Sequence, residues 1–425
     1  LYAQKEIAFA AENLEKRSRV FWCVFWIRVT ASVMVFIPYA FLIYFSVDYR
    51  GLYIVQLITI LANMIDIVWL FQGMEDFKKT SLRSIIVKLF SVAAVFLFVK
   101  NQDDLIIYAF INSLSIFVNA LIMWAYLPGA IQWTKVSRRE LRHHIKPILV
   151  LFVPMAAIYV YTYVDKIILR MLSTEEQVGF YSQAERIVKL SMTVITSLAN
   201  VMLPRIANLI REKQWEKVTL DIRNAIHFVF FLGFPMAAGM AVIAPLFVPW
   251  FFGAGYEQCI SLIQYLSVLI IIISLSSVTG QAALLPLNKQ GTYTFSIIAG
   301  ALTNVVLNVI FIPKYEAVGA VMGTVAAECV VEIIQWCTVS KSMKLSASEI
   351  VRDNIKPFAG AGVMTTVLIL IRPFFPETMI STVAFGVIGV IVFFLCMCIL
   401  RDNFVQVVRR QIVNLLTSGR ERVGK

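Results

Sequence analysis

The sequence predicts an all-α polytopic membrane protein in which one helical bundle is followed by a second, similar one. Three observations predict it. Of 425 residues 59% are apolar and 15% charged, and the mean hydropathy is +0.79, whereas a soluble domain is near half apolar and a quarter charged. Twelve apolar segments are each long enough to cross ~30 Å of hydrocarbon as a helix. Basic residues collect in every second connection between them. A soluble globular chain cannot hide this much apolar surface, and a disordered chain would not carry it.

The segments lie at about 20–46, 51–72, 82–99, 104–127, 145–169, 175–203, 222–251, 257–287, 291–312, 316–340, 356–375 and 379–400. Of the 38 Lys and Arg, 28 fall on the side of the N-terminal stretch and C-terminal tail, five (Arg50, Lys100, Arg170, Lys314, Arg372) on the other, and five inside spans. Positive loops stay in the cytoplasm, so both visible termini are expected there. The net charge of +12 is then loop charge facing anionic lipid, not a nucleic-acid surface. Trp22, Trp26, Trp69, Trp124, Trp250 and Trp336 fall near span ends, as interfacial aromatics do. The last span, 379–400, is apolar nearly all round and is expected against lipid or a neighbour.

The same reading bounds the chemistry. Six cysteines (23, 259, 329, 337, 396, 398) form no CxxC pair, and there are three histidines, so no metal or cofactor is expected. The outer loops are too short to carry a catalytic site. The inner ones lack a Gly-rich phosphate cradle and a nucleophile elbow. A transporter is favoured over an enzyme.

Inner basic loops recur about 205 residues apart: Leu14-Glu15-Lys16 answers Trp215-Glu216-Lys217, 73–83 answers the loop near 288, and 128–146 answers 341–356. Both copies start on the cytoplasmic side, as parallel repeats do. The expected division is 1–144 with four visible spans, 145–340 with six, 341–400 with two accessory spans, and a basic tail at 401–425. Matching the copies predicts two further spans ahead of Leu1.

Several spans carry polar residues at steps of three and four, which share one helix face: Gln56, Thr59, Asn63, Asp66; Asn112, Ser115, Asn119; Ser182, Arg186, Lys189, Thr193, Thr196, Asn200; and Thr324, Glu328, Glu332, Gln335. Polar faces avoid lipid, and hydrogen bonding between helices accounts for the Ser, Thr and Asn members. Ionisable groups inside spans are functional candidates. Arg28, Lys88, Arg186 and Lys189 are candidates for a cationic cavity that binds an anionic cargo; Lys166 is a fifth intramembrane cation, near an outer span end with Asp165, where an interfacial role is equally open. Asp66, Asp165 and Glu328 are candidates for ion coupling or gating. Arg28 and Asp66 stand at similar depth on neighbouring spans and are expected to pair, and Glu185 faces Lys189 at i,i+4. Guanidinium groups contact phosphate in bidentate fashion, and a negative-inside potential assists outward movement of negative charge. Tyr159 and Tyr163, at i,i+4, are placed for packing or for stacking on sugars.

At these residues the sequence resembles bacterial polysaccharide repeat-unit flippases of the Wzx type. Met64-Ile-Asp66-Ile-Val-Trp69-Leu-Phe-Gln72-Gly73-Met-Glu75-Asp-Phe77-Lys78 resembles the end of their fourth helix and its loop. Asp165-Lys166-Ile-Ile-Leu169 with Val178-Gly179-Phe-Tyr181-Ser-Gln-Ala184 resembles the seventh and eighth helices, and Leu203-Pro204-Arg205-Ile206 the following loop. Phe252-Gly253 with Tyr256 resembles an outer loop. Asn304, Asn308, Ile312-Pro313, Tyr315, Gly319-Ala320 and Glu328 resemble the eleventh and twelfth helices.

The resemblance implies the fold of the multidrug/oligosaccharidyl-lipid/polysaccharide exporter superfamily: two pseudo-symmetric six-helix lobes, the first lacking two helices here, plus two C-terminal helices, V-shaped around a central cavity. It implies alternating-access flipping of a polyprenyl-diphosphate-linked oligosaccharide across the bacterial cytoplasmic membrane. Membrane lipid, a coupling H+ or Na+, and the glycosyltransferases and polymerase of surface polysaccharide synthesis are the implied partners. A multidrug/cation antiporter of the same fold, whose cavity should be dominated by acids, is the first alternative. A lipid-linked peptidoglycan precursor flippase is the second, and a membrane glycosyltransferase or polymerase is disfavoured by the short outer loops.

Overall fold

The structure, a computed structural model, describes residues 2–10, 12–46, 49–402 and 404–406, with the side chains at 77, 102, 150, 151, 153–158, 160, 161 and 200 outside the described set. The Asn200 side chain and the basic tail beyond 406 therefore lie outside what is described. In chain order the α-helices are α1 (Tyr2–Phe9), α2 (Leu14–Phe45), α3 (Arg50–Ile65), α4 (Val68–Gly73), α5 (Phe77–Phe98), α6 (Leu105–Ala125), α7 (Arg138–Leu172), α8 (Glu175–Arg211), α9 (Trp215–Phe252), α10 (Gln258–Leu266), α11 (Leu269–Ser276), α12 (Gln290–Met343), α13 (Ala347–Ile371) and α14 (Met379–Ile399). A π-helical segment, Ser277–Leu284, continues α11. Among the described residues the only β-type pairing is an isolated bridge between Pro128 and Ile131.

Ten helical stretches among the described residues are long and apolar enough to cross a membrane. One of them hides two spans. At 54 residues, α12 would be about 80 Å long as a straight rod, far more than a bilayer needs. Glu316 leaves the helical backbone at φ 50°, ψ −126°, and the two arms bond across to each other. Lys289 Nζ donates to Ser342 at 2.7 Å, Gln335 Nε2 to Ser296 at 3.0 Å, and Asn304 Nδ2 to Thr324 at 3.4 Å. As one number rises the other falls, which is the register of an antiparallel hairpin. The arms coincide with the predicted spans 291–312 and 316–340. A Cβ on Gly319 would stand 2.5 Å from the Phe311 backbone, so the arms approach this closely only with glycine there. The remaining predicted span, 145–169, lies within α7, which is helical from Arg138 to Leu172.

The chain divides into two compact units, Leu1–Ala156 and Ala157–Lys425. In the first, Phe21, Trp22 and Phe25 of α2 pack with Trp69, Leu70 and Phe71 of α4 and Met123 of α6. Side chains of α2 also hold the segment after α6. Arg17 Nε donates to the Ala130 carbonyl at 2.9 Å, Trp22 Nε1 to Gln132 O at 3.0 Å, and Ser18 Oγ accepts from Gln132 N at 2.9 Å. These bonds satisfy loop backbone that burial would otherwise orphan.

In the second unit the core runs along α8, α9, α10, α11, the π segment and α12, with Tyr181, Ile195, Ile206 and Ile226 fully buried. α13 and α14 pack on α9 through Phe231, Leu246, Met364, Phe385 and Phe393. α14 buries Ser381, Phe385, Gly389, Phe393 and Met397. Their four-residue spacing is one ridge, so a helix that looked uniformly apolar has a defined inner face. At one end of α9, Arg223 pairs with Asp353 at 2.6 Å. There His227 also bonds Asn354 Oδ1 at 2.8 Å and Asp402 Oδ1 at 3.3 Å.

Candidate functional site

In the first unit the sequence-predicted residues centre on a break between α3 and α4. Asp66 and Ile67 leave helical geometry, at ψ 122° and φ −119° respectively. A break inside an apolar span frees carbonyls that must find donors. They find them in side chains: Arg28 Nε donates to Asn63 O at 2.6 Å, Trp124 Nε1 to Ile65 O at 2.7 Å, and Trp69 Nε1 to Asp66 O at 3.2 Å. The Asp66 carboxylate accepts from Val68 N at 3.0 Å and pairs with Arg28 Nη2 at 3.2 Å. The expected Arg28–Asp66 pair is thus present, and its role in holding the break was not visible in the sequence. Lys88 lies exposed on α5. Sequence reading counted Arg83 as a loop residue; it is buried, with its guanidinium donating to the Asn119 carbonyl.

In the second unit the predicted residues gather where the end of α7 meets the start of α8. Thr174 caps α8, its hydroxyl accepting from Gln177 N at 3.4 Å, and Glu175 and Glu176 occupy the first turn, where acids suit the helix dipole. Two helices joined by so short a turn run antiparallel, which sets Asp165 and Lys166 against Tyr181 and Glu185. The buried Glu185 carboxylate takes Lys166 Nζ at 2.7 Å on one oxygen and Lys189 Nζ at 2.5 Å on the other. Lys166 Nζ also lies 5.4 Å from the Tyr163 ring centre, within cation–π range. Tyr163 stacks on Tyr159 at 6.5 Å and 7°, and both rings are exposed.

Arg186, one residue beyond Glu185, is exposed and has no ion pair among the described residues. One carboxylate therefore serves two ammonium groups with a free guanidinium beside it, an excess of positive charge on the α7–α8 pair. The i,i+4 bond from Glu185 to Lys189 was legible in the sequence, and the bond to Lys166 was not.

Asp165 is buried, makes no ion pair among the described residues, and accepts from the Lys166 backbone N–H at 2.7 Å. Tyr181 donates to its Oδ2 at 2.6 Å, and the Tyr181 hydroxyl lies 3.0 Å from Thr324 Oγ1. Asn304 Nδ2 donates to Thr324 at 3.4 Å, and Asn308 Nδ2 to Asn304 Oδ1 at 3.0 Å. The predicted Asp165 thus heads a chain of hydrogen bonds through α8 and both arms of α12. Glu328 is half-buried on the second arm. One turn further along, Glu332 is buried with Thr279 and Gln335. Among the described residues no group of three or more His, Cys, Asp or Glu is placed to hold a metal ion.

Comparison with known proteins gives a consistent picture. Residues 1–210 match the family described as polysaccharide biosynthesis protein. A protein of Escherichia coli (strain K12) named as an O-antigen transporter is 26% identical over 336 residues, covering 78% of this chain and 81% of that protein. One from Shigella dysenteriae, likewise named, is 24% identical over 282 residues, covering 66% and 70%. A protein of Haloferax volcanii named as a low-salt glycan biosynthesis flippase is 22% identical over 243 residues, about half (51%) of each chain. Among solved structures, lipid II flippase MurJ in an inward closed conformation superposes with a TM-score of 0.73 at 15% identity, covering 95% of this chain and 89% of that one. An inward-facing multidrug resistance MATE family transporter superposes with a TM-score of 0.67 at 17% identity, covering 81% and 87%. At such identities the structures report fold alone. Family match, relatives and fold agree: over residues 1–210 the chain is similar to the polysaccharide biosynthesis protein family, over most of its length it is similar to proteins named as O-antigen transporters, and it shares the helical fold of the MurJ and MATE family structures.

Proposed function

We propose that this protein flips a polyprenyl-diphosphate-linked oligosaccharide across the bacterial cytoplasmic membrane, for surface polysaccharide synthesis, by alternating access. The observation that carries the reading is the Lys166–Glu185–Lys189 bridge with Arg186 beside it. A diphosphate needs cations to enter a membrane interior. Arg186 offers two parallel donors to phosphate oxygens. Lys166 and Lys189 are held in reserve by Glu185, so an arriving diphosphate competes with one carboxylate rather than filling an unbalanced cationic hole. The exposed Tyr159–Tyr163 stack beside Lys166 offers apolar faces to a sugar ring. The relatives named as O-antigen transporters and as a glycan biosynthesis flippase support a cargo of this class.

On this reading the protein is a carrier, not an enzyme, with its N-terminal stretch and C-terminal tail in the cytoplasm. Its partners are membrane lipid, the cargo, and the glycosyltransferases and polymerase before and after it. Asp165, Asp66 and Glu328 are the acids proposed for ion coupling or gating. The test is conditional depletion with mass spectrometry of lipid-linked oligosaccharides. Complete lipid-linked units should accumulate while surface glycan is lost. Unchanged pools with altered drug sensitivity would instead favour the cation antiporter of the same fold.

A further inference from the structure

We propose that Glu332, Thr279 and Gln335 form a proton-binding site inside the second unit, in which Glu332 is held as a neutral carboxylic acid. Glu332 is 9% exposed. Its Oε2 stands 2.9 Å from Thr279 Oγ1, and its Oε1 is buried with no hydrogen-bond partner among the described residues. A carboxylate left so would be a buried charge only half satisfied, which is costly without a cation.

Among the described residues no cation faces it from the packed elements. Leu269–Leu284, comprising α11 and the π segment, contains no ionisable residue, and on the first arm of α12 Gln290–Ile312 contains only Tyr293. Lys289, just ahead of that arm, donates to Ser342. Residues 190–204 of α8 carry none, and Arg205 beyond them is engaged by Asp221. α10 contributes only Cys259 and Tyr265. On α9, Arg223 is engaged by Glu349 and Asp353 and His227 by Asn354 and Asp402. On its own helix the near ionisable neighbours are Cys329 and Glu328, and the latter adds like charge.

Counting hydrogens gives the same answer. Thr279 Oγ1 has one hydrogen and four acceptors near it: Leu275 O at 3.1 Å, Ser276 O at 3.5 Å, Glu332 Oε2 at 2.9 Å and Gln335 Oε1 at 3.0 Å. An ionised Glu332 only accepts, so with Gln335 Oε1 facing Thr279 the one hydrogen cannot serve both side chains. With a proton on Oε2 the chain closes. Glu332 donates to Thr279 and Thr279 to Gln335 Oε1; Gln335 Nε2 donates to Ser296 at 3.0 Å, and Ser296 to the Tyr293 carbonyl at 2.8 Å. Ser276 Oγ gives Gln335 Oε1 a second donor at 3.1 Å.

Thr279 is presented by the π-helical segment Ser277–Leu284, a rare form that recurs at functional sites. Gly280 lets Gln335 approach, since a Cβ there would meet Gln335 Oε1 at 2.7 Å. The only bond made is the O–H at Oε2, with the proton supplied by water and returned to it. Loss of that proton leaves a buried anion beside Glu328, so the contact between π segment and α12 opens on deprotonation. Coupling of this step to cargo movement rests on the flippase reading; the proton site does not.

The test uses the whole chain in phospholipid vesicles without cargo, read by infrared spectroscopy at neutral pH. A protonated-carboxyl C=O band should be present, lost in Glu332→Gln and kept in Glu328→Gln. Thr279→Val, which removes the hydroxyl at nearly constant volume, should shift the band. A Glu332→Gln spectrum identical to the wild type would overturn the proposal, as would removal of the band by added Na+ at fixed pH, which would make this a metal-ion site. If Glu332→Gln fails to fold, the Thr279→Val spectrum decides: a shifted band supports the site and an unmoved one overturns it. A proton site found without accumulation of lipid-linked oligosaccharide on depletion would sink the cargo reading alone.

Discussion

Glu185 is the residue on which the cationic cluster depends. Its carboxylate holds two ammonium groups, from α7 and α8. Replacing it with Gln removes the charge and leaves Lys166 and Lys189 without their carboxylate. Glu185→Gln is expected to destabilise the protein by about 1–3 kcal/mol, less than a fully buried pair would cost because Lys189 is part-exposed. Thermal unfolding in detergent checks this. Arg186→Glu is expected to behave in the opposite way. The side chain is exposed, so stability should stay within about 0.5 kcal/mol while surface glycan is lost in a complementation assay. Full complementation would remove Arg186 from the cargo site. For Asp66 the two functions separate: Asn keeps an oxygen for Val68 N and loses the ion pair, whereas Ala loses both. Asp66→Ala should therefore cost more than Asp66→Asn, by about 1 kcal/mol.

At the scale of elements, the α12 hairpin carries strain at its turn. Glu316 adopts a positive φ that L side chains disfavour. Glu316→Gly should relieve it and raise stability by about 1 kcal/mol, read as an increase in Tm. Gly319→Val should do the reverse, because no Cβ fits against Phe311. The tie at the end of α9 is expected to be pH-sensitive. Burial pushes the Asp402 carboxyl up, but the His227 hydrogen bond and charge outweigh this and hold it below the usual carboxylate range. A group lowered on folding contributes stability above its unfolded value, near 4, and loses it as pH falls through the folded value. Asp402→Asn should therefore flatten the acid side of a Tm-against-pH curve.

For the whole molecule, the number and placement of the spans were legible because hydrocarbon thickness fixes span length. Pairings within one helix or between neighbouring spans were legible too, as in Glu185–Lys189 and Arg28–Asp66. What stayed hidden depends on register between helices. Nothing in spacing alone places Lys166 on Glu185, Tyr181 on Asp165, or Thr279 on Glu332 across 53 residues. Arg83 was misread for a related reason: its position at a span end says loop, and only packing against α6 shows that its guanidinium is buried on the Asn119 carbonyl. Glu332 was legible as a member of the polar face it shares with Glu328, but its burial against Thr279 was not, because that depends on how the π segment presents Thr279.

The most direct test of the central claim is translocation itself. The purified chain is reconstituted in vesicles that carry a polyprenyl-diphosphate-linked oligosaccharide, and a membrane-impermeant reagent titrates the sugar exposed outside. The account predicts that the protected inner-leaflet pool becomes accessible with wild-type protein and stays protected with Arg186→Glu or without protein. Protection that persists with folded wild-type protein, while cationic drugs exchange across the same vesicles, would contradict it.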